Sequence, residues 1–352
     1  MTKTVFFASN KIFMIDFRSD TVTKPSQEMR EAMLSAPVGD DVFQDDPTVN
    51  ELEEYAADLF GMEASIYCSS GTQTNQIAIN LHVQPGGEVI THTESHIYKY
   101  EGGGIARNSG ASVRLLDGNR GRLRLEDVAK WVNPDDIHLP VTQLVSLEDT
   151  ANRGGGAYYD FEEIKKIRAF CLQQNLPLHL DGARLMNAMA ENNIDLKTYT
   201  AEFDSISLCL SKGLGAPVGS LLFGTKDFIK RARRVRKVFG GGMRQAGIIA
   251  AGGLYALKNN VERTKEDHIN AKVLEEAFNQ LDWVDGVLEV QTNIVVVMLK
   301  DPEKRDAIIT KIAEQGISAM AFGPGMIRFV THLDISKSDI DQTISVVRSL
   351  NV

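Results

Sequence analysis

Between Ala64 and Phe223 this chain alternates short apolar runs with helical patterns, and that alternation restricts its fold more than any other feature. The strand-length runs are Ala64-Ser-Ile-Tyr-Cys68, Glu88-Val-Ile-Thr91, Val141 to Leu147, Leu178-His-Leu180, Ile206 to Leu210 and Gly219-Ser-Leu-Leu-Phe223. Helical patterns separate them, as in Gln73 to Leu81 and Asp160 to Gln174. Strands alternating with helices imply an α/β fold, a mainly parallel sheet covered by helices on both faces. Ligands bind such sheets beyond the carboxyl ends of the strands. A helix over Thr48 to Gly61 precedes the sheet, with Thr48 and Glu51 in capping-box spacing and Gly61 as its stop. Helical patterning returns from Arg231 to about Gln280. The texture then changes to runs at Gly286–Val290, Ile294–Leu299, Ile317–Ala321 and Met326–Val330, closed by a helix from near Ser336. This predicts a small C-terminal α+β domain over 266–352, a large domain with an N-terminal arm over 16–265, and an extension over 1–15 expected to be disordered.

The net charge of −9 over 352 residues argues against a general nucleic-acid or membrane-surface binder. No apolar run reaches the roughly 18 residues of a membrane span. Cys68, Cys171 and Cys209 are far apart and show no metal-ligand or disulfide spacing, so each reads as a small core residue. The chain therefore reads as reduced and cytoplasmic, with no metal expected. The basic run Lys230-Arg-Ala-Arg-Arg-Val-Arg-Lys237 is either a solvated helix face or a site for anionic groups.

Three features stand just past strand ends. Lys212 follows the run Ser205 to Ser211 and opens the turn Gly213-Leu-Gly-Ala-Pro217. Alone it reads as a loop lysine; glycines beside it also let a ligand approach the backbone. Asp181 ends Leu178-His-Leu-Asp and needs a partner in that apolar setting, which Arg184 could supply. Ser69-Ser-Gly-Thr72 precedes a helix, so backbone N–H groups at Gly71 and Thr72 point outward and suit a phosphate. A lysine amine, a strand-end carboxylate and a phosphate turn are the parts that hold pyridoxal 5'-phosphate (PLP). Lys212 would form the Schiff base with the aldehyde, and Asp181 would hold the pyridine nitrogen protonated. His96, past the run at Val89, can lie over the cofactor ring.

With these stretches in view, the sequence resembles the low-specificity L-threonine aldolases of the PLP-dependent fold-type I superfamily. The resemblance rests on Asp16-Phe-Arg-Ser-Asp-Thr-Val-Thr23, Ser70-Gly-Thr-Gln-Thr-Asn75, His96-Ile-Tyr-Lys-Tyr-Glu101, Leu178 to Arg184, Leu210-Ser-Lys-Gly-Leu-Gly-Ala-Pro-Val-Gly219 and Arg236 to Gln245. It implies a seven-stranded sheet in the large domain. It also implies that Gly71 and Thr72 bind the phosphate with Lys237 and Arg244, one of these from a neighbouring subunit. Ser19, Arg184 and Arg328 would hold the substrate carboxylate, with Arg184 also at the cofactor. His138 would lie near the substrate hydroxyl. The implied assembly is a homotetramer, a dimer of dimers with shared sites. The family's Leu-Glu-Asn-Thr-His-Asn reads Leu147-Glu-Asp-Thr-Ala-Asn152 here, so Asp149 and Ala151 depart from it.

The implied reaction is retro-aldol cleavage of L-threonine, L-allo-threonine and related β-hydroxy-α-amino acids to glycine and an aldehyde. A base removes the β-hydroxyl proton; His96, His138 and an ordered water remain alternatives. The rival within the fold is another PLP lyase, eliminating at the β-carbon or cleaving a different β-hydroxy amino acid. A silent binding protein of this fold is expected to lack Lys212 or Asp181, and both are present. A nucleotide-binding α/β protein would need a third glycine after Gly213-Leu-Gly215, which is missing.

Overall fold

A computed structural model describes residues 14–352. The extension expected over 1–15 lies outside the described residues, save its last two. Of these, Ile15 belongs to a two-residue strand, β1 (Ile15–Asp16). The large sheet comprises β2 (Ala64–Cys68), β3 (Glu88–His92), β4 (Ser112–Leu116), β5 (Thr142–Glu148), β6 (Leu178–Asp181), β7 (Ser205–Cys209) and β8 (Ser220–Gly224). Their order across the sheet is β2-β8-β7-β6-β5-β3-β4. β4, β3, β5, β6 and β7 pair in parallel, and β8 pairs antiparallel with both β2 and β7. The seven strands match the expected fold. The strand that periodicity does not reveal is β4, an edge strand whose Ser-Val-Arg-Leu-Leu is half-exposed and carries no continuous apolar signal.

The large-domain core lies on one face of this sheet and includes Val145, Leu180, Ile206, Leu208 and Phe223, with Phe60 from a preceding helix, while Ile66, Leu222, Val89 and Leu144 pack the opposite face. Each such side chain contributes about 1.5–3 kcal/mol through burial. That preceding helix spans Pro47–Phe60, and its cap, Asp46, lies two residues before the expected Thr48. Asp46 accepts from the Thr48 and Val49 N–H groups, and Pro47 occupies the first turn, where its missing N–H is no loss. The Thr48 hydroxyl is then free to donate to Pro37 O at 2.7 Å.

The second core belongs to a four-stranded antiparallel sheet of β9 (Val284–Leu288), β10 (Ile294–Leu299), β12 (Met320–Gly323) and β13 (Met326–Val330), ordered β12-β13-β10-β9. The expected single run Ile317–Ala321 is divided between β11 (Ile317–Ser318) and β12. β1 pairs in parallel with β11, and Ile15 and Phe17 are buried among Phe278, Val295 and Phe329 of this core. The arm thus starts in the small unit, although the sequence groups it with the large domain. Three residues later, Asp20 is in the large unit. No helix among the described residues is long and apolar enough to cross a membrane. The three cysteines are buried and free.

Candidate active site

The carboxyl ends of β6 and β7 lie side by side, with Asp181 in register with Ser207. Lys212 follows β7 by three residues, and its Nζ lies 3.4 Å from Cys209 Sγ. The same sulfur faces Gly71, where an added Cβ would come within 2.6 Å of it. Gly71 is therefore glycine because the Ser69–Thr72 turn presses against the end of β7. The helix that starts there, Gly71–His82, is capped by Ser70, whose hydroxyl accepts from Gln73 N–H at 3.2 Å. The N–H groups of Gly71 and Thr72 have no intrahelical acceptor, as at any helix start. The lysine amine, the carboxylate and the free N–H groups thus meet at one edge of the sheet.

Behind this edge lies a buried polar network. Asn75 Nδ2 donates to Asp181 Oδ2 at 3.0 Å and to Glu101 Oε1 at 2.9 Å. Gln76 donates to the other Glu101 oxygen at 2.6 Å, and His96 Nδ1 lies 3.1 Å from Oε1. Burial lowers the His96 pKa, but the Glu101 bond and the charges of Asp181 and Glu101 outweigh it, so the imidazole is shifted upward. His96 N–H also donates to Glu148 Oε2 at 2.7 Å. Burial and the charge of Asp181 push Glu148 up to about 7. His96, Glu101 and Asp181 each offer a ligand atom within 4.8 Å of the others. Amide donors already engage both carboxylates, so the donor set suits an organic ring with a basic nitrogen better than an ion.

The arginines differ in their partners. Arg184 pairs with buried Asp20 through Nε at 2.7 Å and Nη2 at 2.6 Å. The alternative pairing with Asp181 is not made, which leaves Asp181 available to a ring nitrogen. Burial raises the Asp20 pKa, yet the charge and hydrogen bonds of Arg184 and the charge of Lys212 bring it down to about 2. Arg328 has no acidic partner among the described residues. Its Nη1 donates to Asn152 Oδ1 and its Nη2 to Arg18 O, both at 2.9 Å, while its buried Nε is unbonded. Burial and the neighbouring charge of Arg184 lower its pKa to about 10. Ser19 precedes Asp20 and accepts from Thr21 N–H at 3.2 Å.

The other expected residues are placed less centrally. Lys237 ends the helix Lys226–Val238, and the loop after it rests on Gln73, which donates to Phe239 O at 3.4 Å. That brings the loop to the first turn of the phosphate helix. Arg244 is exposed and bound to Asp40 at 2.8 Å, not to the Gly71 turn. His138 departs from expectation. It lies on the loop that enters the amino end of β5, whereas Asp181 and Lys212 lie past carboxyl ends. Its side chain is 82% exposed and is held by Asp136 at 2.8 Å. Within this chain it does not reach the cluster. Asp20, Asn75 and Glu101 join the site although nothing in the sequence marks them singly; all three fall inside the family-like motifs. Their partners are distant in sequence, and only the fold reveals them.

Comparison with known proteins agrees with this geometry. Residues 16–302 match the beta-eliminating lyase family. The chain is 46% identical to the low specificity L-threonine aldolase of Escherichia coli K12 over 93% of its own length and 96% of the relative's. It is 39% identical to a probable low-specificity L-threonine aldolase 2 of Arabidopsis thaliana, covering 94% and 95%. The fold matches a Leishmania major threonine aldolase structure with a TM-score of 0.81 at 22% identity, covering 95% and 98% of the two chains. It also matches a Sphingomonas wittichii serine palmitoyltransferase with a TM-score of 0.77 at 17% identity, over 96% and 86%. The chain belongs to the beta-eliminating lyase family and, within it, to the low-specificity L-threonine aldolases.

Proposed function

We propose that this chain is a PLP-dependent aldehyde-lyase that cleaves L-threonine, L-allo-threonine and related β-hydroxy-α-amino acids to glycine and an aldehyde. The observation that carries the reading is the meeting of Lys212, Asp181 and the free N–H groups of Gly71 and Thr72 at one sheet edge. Lys212 would hold the cofactor aldehyde, Asp181 the ring nitrogen, and the Gly71 turn the phosphate. When bound, the cofactor supplies an electron sink for the pair released when the Cα–Cβ bond breaks. The protein supplies orientation. Arg328, with an unbonded Nε and no acidic partner, offers a charge-assisted fork to the substrate carboxylate. Arg184 reaches the same region but is occupied by Asp20, so it orients the arm carrying Ser19.

His96 stands beside the cluster with a raised pKa and a carboxylate on Nδ1, which suits both stacking and proton transfer from the substrate hydroxyl. A contribution from His138, or from Arg244 and Lys237 at the phosphate, needs a second subunit or a bound-state rearrangement. The homotetramer with shared sites and a cytoplasmic location are part of this proposal, the latter supported by three free buried cysteines. The test is to load the purified protein with PLP, trap it with borohydride, locate the adduct and assay L-threonine. The expected result is an adduct on Lys212 with glycine and acetaldehyde as products. Ammonia and a keto acid would place the chain with the β-eliminating enzymes instead, and a protein that takes up no PLP would overturn the reading.

A further inference from the structure

Asn75 is held by more than its two carboxylates. Its Nδ2 faces Asp181 and Glu101, so its Oδ1 must accept, and the atom opposite is His179 Nε2 at 3.1 Å. His179 therefore carries its proton on Nε2, and its Nδ1 accepts from the Ser205 hydroxyl at 2.8 Å. The Ser205 oxygen, having donated, accepts in turn from His82 Nε2 at 2.8 Å. Every donor in this chain points the same way: His82 to Ser205, Ser205 to His179, His179 to Asn75, and Asn75 to Asp181. His82 and Asn75 lie seven residues apart on one face of the helix Gly71–His82, while His179 starts the inner part of β6 and Ser205 begins β7. The line thus crosses the sheet beneath that helix. Its outer end opens on a cavity of about 400 Å³ lined by His82, Arg168, Asp204, Thr225 and Phe228. Burial lowers His179 to about 3 and His82 to about 4, so both rings stay neutral and the donor order is kept at neutral pH.

We propose that His179 is a positioning residue for Asp181: through Asn75 it fixes the amide so that Nδ2 is always turned to the carboxylate that holds the cofactor's ring nitrogen. This rests on the assignment of Asp181 to that nitrogen. The two carboxylates disfavour a flipped amide, whose carbonyl oxygen they would repel, and the His179 donor on Oδ1 strengthens that preference. The chain is not a proton wire, because the amide of Asn75 interrupts it. It is a line of aligned dipoles whose positive end faces Asp181.

The test compares His179→Gln, whose amide can place a donor near the Nε2 position, with His179→Asn, which reaches only toward Nδ1. The readouts are the PLP dissociation constant of the apoprotein and the melting temperature without cofactor. His179→Asn is expected to weaken PLP binding about tenfold, and His179→Gln by no more than about threefold. Both lose the imidazole, and Asn is one methylene shorter, so the cofactor-free melting temperatures report that packing loss separately from PLP affinity. Equal PLP affinity in the two variants overturns the inference, because His179 then only fills space. Ser205→Ala is a milder second variant, expected to weaken PLP binding about threefold; unchanged affinity there also counts against it. Asp181→Asn separates the two layers. If it binds PLP as the parent does, the ring-nitrogen assignment fails and the inference falls with it. If it binds weakly while the His179 pair behave alike, the inference alone falls.

Discussion

A guanidinium buried beside another guanidinium is destabilised by desolvation and repulsion, and an arriving anion relieves both. Arg328 is in that position, whereas Arg184 a short distance away is matched by Asp20. Arg328→Ala is therefore expected to raise the KM for L-threonine by about 10–100-fold, the loss of a charge-assisted pair, while PLP affinity stays near the parent value. Arg328→Lys should recover little, because an ammonium cannot reproduce the fork. A variant whose KM is unchanged would remove Arg328 from the carboxylate site. Asp149, which departs from the family pattern, supports a second expectation. Burial drives its pKa up to about 7, and Tyr199 O–H donates to its Oδ2. The native state then keeps a proton that the unfolded chain loses above its ordinary pKa. Stability consequently falls as pH rises from about 4 to about 7. Asp149→Asn removes that titration. In denaturant melts, its stability relative to the parent should improve by about 2–4 kcal/mol between pH 5 and pH 8. Parallel pH curves for the two proteins would contradict this.

At the scale of elements, the helix Gly71–His82 and the end of β7 share a contact with no room for a methyl group. A Gly71→Ala side chain would meet Cys209 Sγ at 2.6 Å. The expectation is a loss of about 1–3 kcal/mol in stability from overpacking, accompanied by weaker PLP binding. Cys209→Ala in the same chain should recover much of the stability. A double variant no better than Gly71→Ala alone would show that the sulfur is not the obstacle. This contact also shows what a sequence does and does not reveal. The buried strands are legible because each is apolar along its whole length, and Lys212, Asp181 and Gly71 stand out by their place just past such runs. β4 is not legible, because an edge strand with one face in solvent needs few apolar residues. Asn75, Glu101 and Asp20 are missed for a different reason. Asn75 and Asp181 are separated by 106 residues, and Asp20 and Arg184 by 164. No local pattern records such pairs. His138 does not reach the cluster within its own chain, because a motif gives chain order but not the end of the sheet at which a loop emerges.

For the whole molecule, several large apolar side chains stay uncovered close to the segments that carry Arg244 and Lys237. Phe43 is 71% and Val238 81% exposed, with Val38 and Ile248 partly so. Asp41 N–H donates to Arg244 O at 3.1 Å and Arg244 pairs with Asp40, so the two segments are joined. Such exposure fits the proposed assembly through this side. Phe43→Asp with Val238→Asp is expected to yield a smaller species in sedimentation and to weaken PLP retention. An unchanged sedimentation coefficient would move the interface elsewhere.

The opening arm is anchored at both ends. Ile15 and Phe17 are sealed in the small unit, Asp20 is locked to Arg184 in the large one, and the Thr23 hydroxyl donates to the backbone oxygen of Lys212 at 3.0 Å. Only Arg18 and Ser19 separate Phe17 from Asp20, and a chain spans at most about 3.5 Å per residue, so the two anchors cannot move far apart. A displacement of the small unit beyond that reach would pull on the segment whose Thr23 lies against the main chain of Lys212. The segment Ile15–Thr23 is a short linkage between the two units, and lengthening it by a few residues would relax that coupling.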